Sequence, residues 1–253
     1  MSMREKLINL AIYHKGNYNK ILKAISTKKW VSPQMTQFKT VVIYDKFYPK
    51  SYYRLQYPPL VLFYEGNIDL YNHPCISVVG SRTLDLYSER TTTQLVDIIK
   101  KKYVIVSGCA KGIDTIAHQS ALNGGKTIGI LGCGLDIVYP KCNHSLIETI
   151  KQKHCLVSEF PDGVQPLKHH FPWRNRLIAA SSHSLWVMSG KIKSGTMHTI
   201  NQAMELDNEI YALPHPYQSE LSGAPHLSVN QGATLLNKEV IEDLMNQEVR
   251  SSS

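Results

Sequence analysis

The chain has 253 residues, of which 43% are hydrophobic and 19% are charged. This apolar content is enough to bury a core, which excludes a wholly disordered chain. The longest apolar runs are too short to cross a bilayer, and the N-terminus lacks the continuous apolar stretch of a signal peptide. We therefore expect a cytoplasmic protein without a membrane partner.

The net charge of +8 is distributed unevenly along the chain. Residues 1–56 hold 11 Lys and Arg against 2 Asp and Glu, whereas residues 57–253 hold 17 against 18. The sequence thus predicts a basic helical N-terminal region over 1–56, a main domain over 57–246 and a flexible tail over 247–253. A basic region on a near-neutral body is typical of proteins that bind polyanions, and equally of a solvated basic surface. If it binds a polyanion, its deletion weakens binding mainly at low salt.

Helical periodicity opens the chain, and strands follow only later. Residues 5–14 and 19–26 are amphipathic, and Ser32 followed by Pro33 indicates a third helix over 32–39. An aromatic and proline-rich stretch then predicts an extended connector, with the domain boundary between residues 50 and 60.

The remainder alternates between predicted strands and helices. Apolar runs predict strands at 75–80, 103–108, 126–132, 155–160, 184–190 and 209–214. The segments between them predict helices at 86–101, 113–122, 144–153, 174–181 and 196–206. Strands without polar alternation, separated by helices, indicate a mostly parallel sheet covered on both faces, which is a doubly wound α/β fold.

Glycine-rich turns follow several of these strands. Ligands of such folds bind beyond the carboxyl ends of the strands, where glycine and the free N–H groups of a helix start can approach an anion. The candidate anion-binding residues in these turns are Gly80, Ser81, Arg82, Gly108, Lys111, Gly112, Lys193, Ser194, Gly195 and Thr196. The fourth turn of this kind runs from Gly132 to Asp136. Plain turn geometry explains a single such turn, but four at one sheet edge favour a phosphate-binding ridge.

The densest group of cationic and aromatic residues spans 168–176. Lys168, Arg174 and Arg176 can contact phosphates, Asn175 can pair with a base edge, and Phe171 can stack on a base. Such a mixture suits single strands, whose bases are exposed, better than a duplex. The alternative is that the aromatic rings pack at a helix start while the arginines are solvated.

Motifs for cofactors, metals and catalysis fail when they are tested. The dinucleotide fingerprint would need glycine where Ile137 stands, and no phosphate-binding P-loop occurs. Five cysteines without C-x-x-C spacing indicate reduced thiols rather than a zinc site. Asp114 and His118 form a helix-face pair, and Glu159 has no identifiable catalytic partner. We therefore expect a protein without cofactor, metal or catalytic site.

In combination, the motifs resemble the DNA-processing protein A family, also called DprA or Smf. The matching segments run in order from 57 to 246 and include SVVGSR, VSGCAKGIDTIAH, GILGCGLDIVYPKCN, PLKHHFPWRNRLIA and KSGTMHTINQA. The resemblance implies an extended Rossmann-like domain that forms a homodimer, binds single-stranded DNA and loads the RecA recombinase during natural transformation. Segment 1–56 is similar to the family's variable N-terminal helical region.

The resemblance also implies which residues contact DNA. The positions that match the family's DNA-binding pocket are Gly80, Ser81, Arg82, Lys168, Phe171, Arg174, Asn175 and Arg176, with Lys141 at its border. In this interpretation the cations neutralise phosphates, backbone N–H groups of the glycine turns add hydrogen bonds, and Phe171 stacks on a base.

The competing hypothesis is an enzyme. The same arrangement of glycines is similar to Rossmann-like phosphoribohydrolases, which cleave nucleoside monophosphates. Their signature contains a glycine pair and a glutamate, both of which are missing from the nearest counterpart here, Gly195 to Thr199. The sequence therefore favours a non-catalytic DNA-binding protein.

Overall fold

The computed structural model of the chain describes residues 1–247. The predicted flexible tail thus lies outside the described residues, except for Gln247. The strands are β1 Lys39–Val42, β2 Val61–Gly66, β3 Cys75–Val79, β4 Val104–Ser107, β5 Thr127–Leu131, β6 Cys155–Ser158, β7 Ser184–Val187, β8 Glu209–Ala212 and β9 Thr234–Leu235. The helices are α1 Met3–Tyr13, α2 Tyr18–Ser26, α3 Leu86–Ile99, α4 Ile113–Leu122, α5 His144–Lys153, α6 His170–Ala180, α7 Gly195–Glu205, α8 Gly223–Asn230 and α9 Lys238–Asn246.

All nine strands form one sheet in the order β1-β2-β6-β5-β4-β3-β7-β8-β9. The pairs from β6 to β9 are parallel, whereas β1 pairs antiparallel with β2, and β2 pairs antiparallel with β6. Strands β4, β6 and β7 are buried at every position, as expected for a sheet covered on both faces. The Rossmann-like doubly wound fold predicted from the sequence is confirmed.

The strand order reverses between β3 and β7, which creates the crevice where ligands of open α/β sheets bind. The turns after β3 and β7 meet at this point, because the Ser81 amide donates to Ser189 Oγ at 3.2 Å. The edge formed by the carboxyl ends of β3, β4, β5 and β6 is called the carboxyl edge below.

The basic N-terminal region is built into the sheet and its core. Strand β1 pairs with β2 in a four-residue register, so the prediction of a purely helical region is wrong for 39–42. Leu10 of α1 and Ile21 of α2 are buried in the same apolar cluster as Phe63 of β2 and Leu131 of β5. Removing residues 1–56 would therefore expose one face of the sheet, which rules out deletion as a clean test of their charge.

The predicted third helix over 32–39 does not form. Asn9 and Asp162 hold the segment in an irregular conformation, because Asn9 Oδ1 accepts from the Gln34 amide at 2.8 Å and Asp162 Oδ1 accepts from Thr36 Oγ1 at 2.6 Å. These tertiary hydrogen bonds replace the helical ones that Ser32 and Pro33 favoured locally. The predicted extended connector contains a short 3-10 helix, Lys50–Arg54.

Candidate nucleic-acid interface

A pocket opens at the carboxyl edge, above the ends of β3, β4 and β5. Its wall combines residues from the β3, β4 and β5 turns with two side chains from α6. Its lining residues are Arg82, Gly108, Ala110, Lys111, Leu131, Gly132, Cys133, Tyr139, Pro140, Phe171 and Arg174. Five of the residues predicted from the sequence are thus brought together here: Arg82, Gly108, Lys111, Phe171 and Arg174.

Arg82 and Phe171 form the exposed, ligand-facing part of this edge pocket. The Arg82 guanidinium lies 5.5 Å from the centre of the Phe171 ring, within cation–π range. Tyr139 lies against the same ring, with the two ring centres 5.5 Å apart. Arg82 and Lys111 are exposed and Phe171 is half-buried. One pocket therefore presents two exposed cations and an aromatic pair.

Three glycines of the predicted ridge are required by internal packing. At Gly112, which has φ +78°, a side chain would overlap the carbonyl oxygen of Ser81. At Gly108, a Cβ atom would lie 2.5 Å from Nη1 of Arg174. Gly80 is blocked in the same way by Ile113 of α4. Close packing of the turns and Arg174 thus accounts for these glycines without a ligand, and their contact with an anion stays a prediction.

Backbone N–H groups in these turns are also committed within the protein. The Ser81 amide donates to Ser189, the Ala110 amide donates to Asp114 Oδ2 at 3.2 Å, and the Ile113 amide donates to the Ser81 carbonyl at 3.1 Å. These three groups therefore do not supply the ligand contacts that the sequence suggested for the glycine turns.

Arg174 forms the floor of the edge pocket. Its side chain is 4% exposed, and Nη1 donates to the carbonyl oxygens of Gly108, at 2.6 Å, and of Ile130. Burial raises the pKa of the nearby Asp114 carboxyl, and the Arg174 guanidinium opposes that shift. Arg174 thus ties the ends of β4 and β5 together, while part of its side chain remains on the pocket wall.

Arg176 lies elsewhere, in a buried ion pair. Its Nη2 donates to both carboxylate oxygens of Glu159 at 2.6 and 2.7 Å, and its guanidinium covers the Trp173 ring at 4.1 Å. Arg176 is 4% exposed and Glu159 is 5% exposed. The expectation of a phosphate-neutralising Arg176 is therefore wrong for this conformation, since Glu159 already neutralises it. The same contact explains why Glu159 had no catalytic partner in the sequence.

The turn after β7 is not part of the edge pocket. The Asn175 side chain donates to the Gly195 carbonyl at 3.2 Å and so links α6 to the start of α7. Lys193 and Gly195 are exposed, whereas Ser194 is half-buried and Thr196 is buried. Asn175 therefore uses its amide N–H on the protein rather than on a base.

The remaining predicted cations stand at the rim. Lys168 is exposed just before α6, and Lys141 is exposed directly after the pocket residue Pro140. Sequence reasoning missed Tyr139 as a pocket residue, and it placed Cys133 in a glycine turn without choosing it as a site residue. An aromatic residue followed by proline in the loop after β5 was a usable signal for Tyr139.

Behind the pocket, His118 and Cys109 form a buried neutral pair. His118 Nδ1 lies 2.7 Å from Thr127 Oγ1, whose hydroxyl donates to the Ile105 carbonyl, so Nδ1 carries the proton. Burial lowers the pKa of His118 to about 3 and raises that of Cys109 to about 12. A neutral imidazole beside a neutral thiol is inert, and the helix-face pair predicted for Asp114 and His118 is replaced by these contacts.

Two further properties concern the described residues as a whole. Within residues 1–247, no helix is both long and apolar enough to span a bilayer. Over the same range, no three side chains of the His, Cys, Asp and Glu types come close enough together to bind a metal ion.

Comparison with known sequences identifies the family. The sequence profile of DNA recombination-mediator protein A matches residues 39–248. DNA processing protein DprA of Streptococcus pneumoniae is 40% identical over 207 residues, which cover 81% of this chain and 73% of that protein. DNA processing protein DprA of Bacillus subtilis is 35% identical over 216 residues, which cover 83% and 73%.

Comparison with solved structures gives the same result. The X-ray structure of DprA from Streptococcus pneumoniae is similar with a TM-score of 0.82 and 32% identity, covering 98% of this chain and 94% of that one. A Helicobacter pylori DNA processing protein A, described for its single-stranded DNA binding mode, is similar with a TM-score of 0.75 and 31% identity over 84% and 98%. The chain belongs to the DNA recombination-mediator protein A family.

Proposed function

We propose that this protein binds single-stranded DNA at the edge pocket. The observation that carries the proposal is the exposed Arg82 beside the Phe171 ring, which offers a phosphate contact and a stacking surface in one place. A duplex hides its base faces, so the aromatic pair of Phe171 and Tyr139 favours an unpaired strand. The Helicobacter pylori relative, described for its single-stranded DNA binding mode, supports this choice.

The pocket residues divide into contacting and positioning groups. Arg82, Lys111 and the rim residue Lys168 are the exposed cations that neutralise phosphates, with Lys141 beside them. Arg174 holds the floor, because its guanidinium is bonded to backbone carbonyls. Asn175 and Arg176 position α6, through Gly195 and Glu159 respectively. Residues Lys193 to Thr196 contact DNA only if the bound DNA continues past the point between β3 and β7 where the strand order of the sheet reverses.

The test is a titration of fluorescent oligo-dT. Exchanging Arg82 and Lys168 for alanine lowers affinity by at least about 100-fold, since each charge-assisted contact contributes about 1.5 kcal/mol or more. The matched control, Lys101→Ala with Lys126→Ala, removes the same charge before β4 and β5, at the opposite edge of the sheet. An unchanged affinity in the first variant, or an equal loss in the control, contradicts the pocket assignment.

The same proposal includes the fate of the bound strand. The protein acts as a homodimer in the cytoplasm, and the two edge pockets of the dimer bind one DNA strand. The dimer then passes this strand to the RecA recombinase during natural transformation. Membership of the recombination-mediator family supports this role. Two linked pockets increase affinity through effective concentration. Light scattering gives a dimer mass, and oligo-dT coated with the protein accelerates RecA filament formation. A monomer mass or an unchanged filament rate contradicts these parts separately.

We also propose that the protein is not an enzyme. The thiol and imidazole behind the pocket are neutral and buried, and burial raises the pKa of the lining thiol of Cys133 to about 12, so that this thiol is protonated as well. The family match disfavours the phosphoribohydrolase alternative. Incubation with nucleoside monophosphates releases no free base in our proposal, and release of base contradicts it.

A further inference from the structure

The turn between α1 and α2 lies on the carboxyl edge, next to the edge pocket. Gly16 in this turn has φ +72°, and a Cβ atom there would lie 2.8 Å from the Glu159 carbonyl and 3.1 Å from the Phe160 ring. The Phe160 ring stacks on His170 at 4.0 Å, and His170 Nδ1 lies 3.2 Å from the carbonyl oxygen of the pocket residue Gly132. A chain of buried contacts therefore connects the pocket wall to the turn between α1 and α2.

Three aromatic rings meet next to the α1–α2 turn. Tyr18 of α2, Tyr57 of the connector and Trp173 of α6 have ring centres 5.7, 5.9 and 6.0 Å apart. Trp173 lies in the same first turn of α6 as the pocket residue Phe171. Tyr57 is 42% exposed, so the group, called the aromatic cluster below, offers a ring edge and face to a ligand as well as an anchor for the helices.

The charge around the aromatic cluster favours an anionic strand. Lys15 and Lys20 are exposed on either side of Tyr18, and the ion pairs found among residues 1–247 involve neither of them. The carboxylate of Glu159, which acts electrostatically on Tyr18, is buried and neutralised by Arg176. Exposed cations beside aromatic rings are the combination by which proteins follow single strands without reading their sequence.

We propose that the aromatic cluster is a second stacking site for the same strand, past the edge pocket. A single strand that leaves the pocket over Phe171 crosses the α1–α2 turn, stacks a base on Tyr57 and Trp173, and places phosphates near Lys15 and Lys20. This inference rests on the proposed function, because it extends the path of the strand bound there. It gives a role to the α1–α2 turn, which lies at the carboxyl edge while α1 and α2 cover a face of the sheet.

The experiment uses the length of the ligand to separate the two sites. In Tyr57→Leu, affinity for oligo-dT of about 20 nucleotides falls about five- to tenfold, the loss expected for one stacked base. Affinity for oligo-dT of about 6 nucleotides, which the edge pocket alone accommodates, is unchanged. Tyr57→Phe keeps the ring and retains wild-type affinity for both lengths. Tyr44→Leu, which removes another exposed ring from the connector, serves as the matched control.

The outcomes distinguish this inference from the proposed function. If Tyr57→Leu changes neither affinity, or lowers both equally, the second stacking site is overturned. Arg82→Ala, measured in parallel, lowers affinity for both lengths, and its failure to do so overturns the edge pocket whatever Tyr57→Leu does. Thermal unfolding of each variant confirms that the fold is intact, as expected for a substitution at an exposed ring.

Discussion

The edge pocket and the N-terminal region are both basic, but they hold their cations differently. In the edge pocket, exposed Arg82 lies against the Phe171 ring, whereas Arg174 is buried and hydrogen-bonded to the backbone. In residues 1–56, lysines such as Lys23, Lys28 and Lys29 are exposed at the surface of α2 and the turn after it. A local arrangement of cation and ring favours specific binding, whereas dispersed surface charge favours only long-range attraction.

Within the N-terminal region, not every cation is available to a ligand, because some are bonded to other groups of the protein. In the N-terminal region, Arg4 donates to Asp45 at 3.0 Å, and Arg54 donates to Asn208 Oδ1 at 2.9 Å and to the Ser182 carbonyl at 2.8 Å. Arg4 is thus bonded within the N-terminal region itself, whereas Arg54 fastens the region to the rest of the fold. These contacts leave the net charge of +8 unchanged, but they reduce the number of cations that can contact a ligand.

The largest effect on the free energy of unfolding is expected for Arg176, which is a structural cation, and not for Arg82, which is a binding cation. Replacing Arg176 by alanine leaves Glu159 buried without its partner, and this lowers the free energy of unfolding by about 3–5 kcal/mol. Arg82→Ala, which removes an exposed cation, leaves the unfolding free energy within about 0.5 kcal/mol of wild type. Urea denaturation of both variants makes the measurement. A stable Arg176→Ala protein would show that Arg176 is not structural.

A second effect on the free energy of unfolding comes from His118, which is buried behind the edge pocket, and it depends on pH. Folded His118 has its pKa lowered to about 3, whereas an unfolded histidine titrates near 6.5. Between these values the unfolded chain binds a proton that the folded chain does not. Stability from this group is thus complete above about pH 6.5 and falls by up to about 1.4 kcal/mol per pH unit as the pH drops toward 3.

The His118→Gln variant isolates this contribution. Because glutamine does not titrate, the difference in unfolding free energy between wild type and variant shrinks as the pH falls from about 7 to about 4. Denaturation series at several pH values measure it. A difference that stays constant over this range would mean that His118 is not buried in its neutral form.

The smallest effect concerns the dispersed lysines. Exchanging Lys23, Lys28 and Lys29 for glutamine weakens oligo-dT binding a few-fold at about 0.01 M salt and leaves it unchanged at about 0.15 M, because the Debye length falls from about 30 to about 8 Å. Fluorescence anisotropy at the two salt concentrations measures this. A large loss of affinity at the higher salt concentration would show that these lysines belong to a specific binding site.

Much of the fold could be predicted because its signals are local. The central strands from β3 to β8 are continuous apolar runs, and the helices between them show their periodicity. Strands β1 and β2 were missed, since β1 is a four-residue segment whose strand character depends on pairing with β2. The helix expected over 32–39 failed for the complementary reason, because Asn9 and Asp162 capture its polar groups from outside the segment.

The candidate site was predictable in residue type but not in the role of each residue. Arg82, Arg174 and Arg176 look equivalent in the sequence, and only the structure separates an exposed cation from a floor residue and an ion pair. The partner of Arg176 is 17 residues away, beyond the loop before α6, where local patterns carry no information. The family resemblance stated from the motifs is confirmed by the sequence profile.

The most direct measurement is the affinity for oligo-dT over a salt series, for wild type, the Arg82 and Lys168 alanine variant, and the Lys23, Lys28 and Lys29 glutamine variant. If the edge pocket carries the binding, the first variant is weakened by at least about 100-fold at about 0.15 M salt, and its affinity falls less steeply than that of wild type as the salt concentration rises, because it releases fewer counterions. The second variant approaches wild type as the salt concentration rises. The reverse result, with the lysine variant strongly weakened at about 0.15 M salt and the pocket variant close to wild type there, would contradict the assignment of binding to the edge pocket.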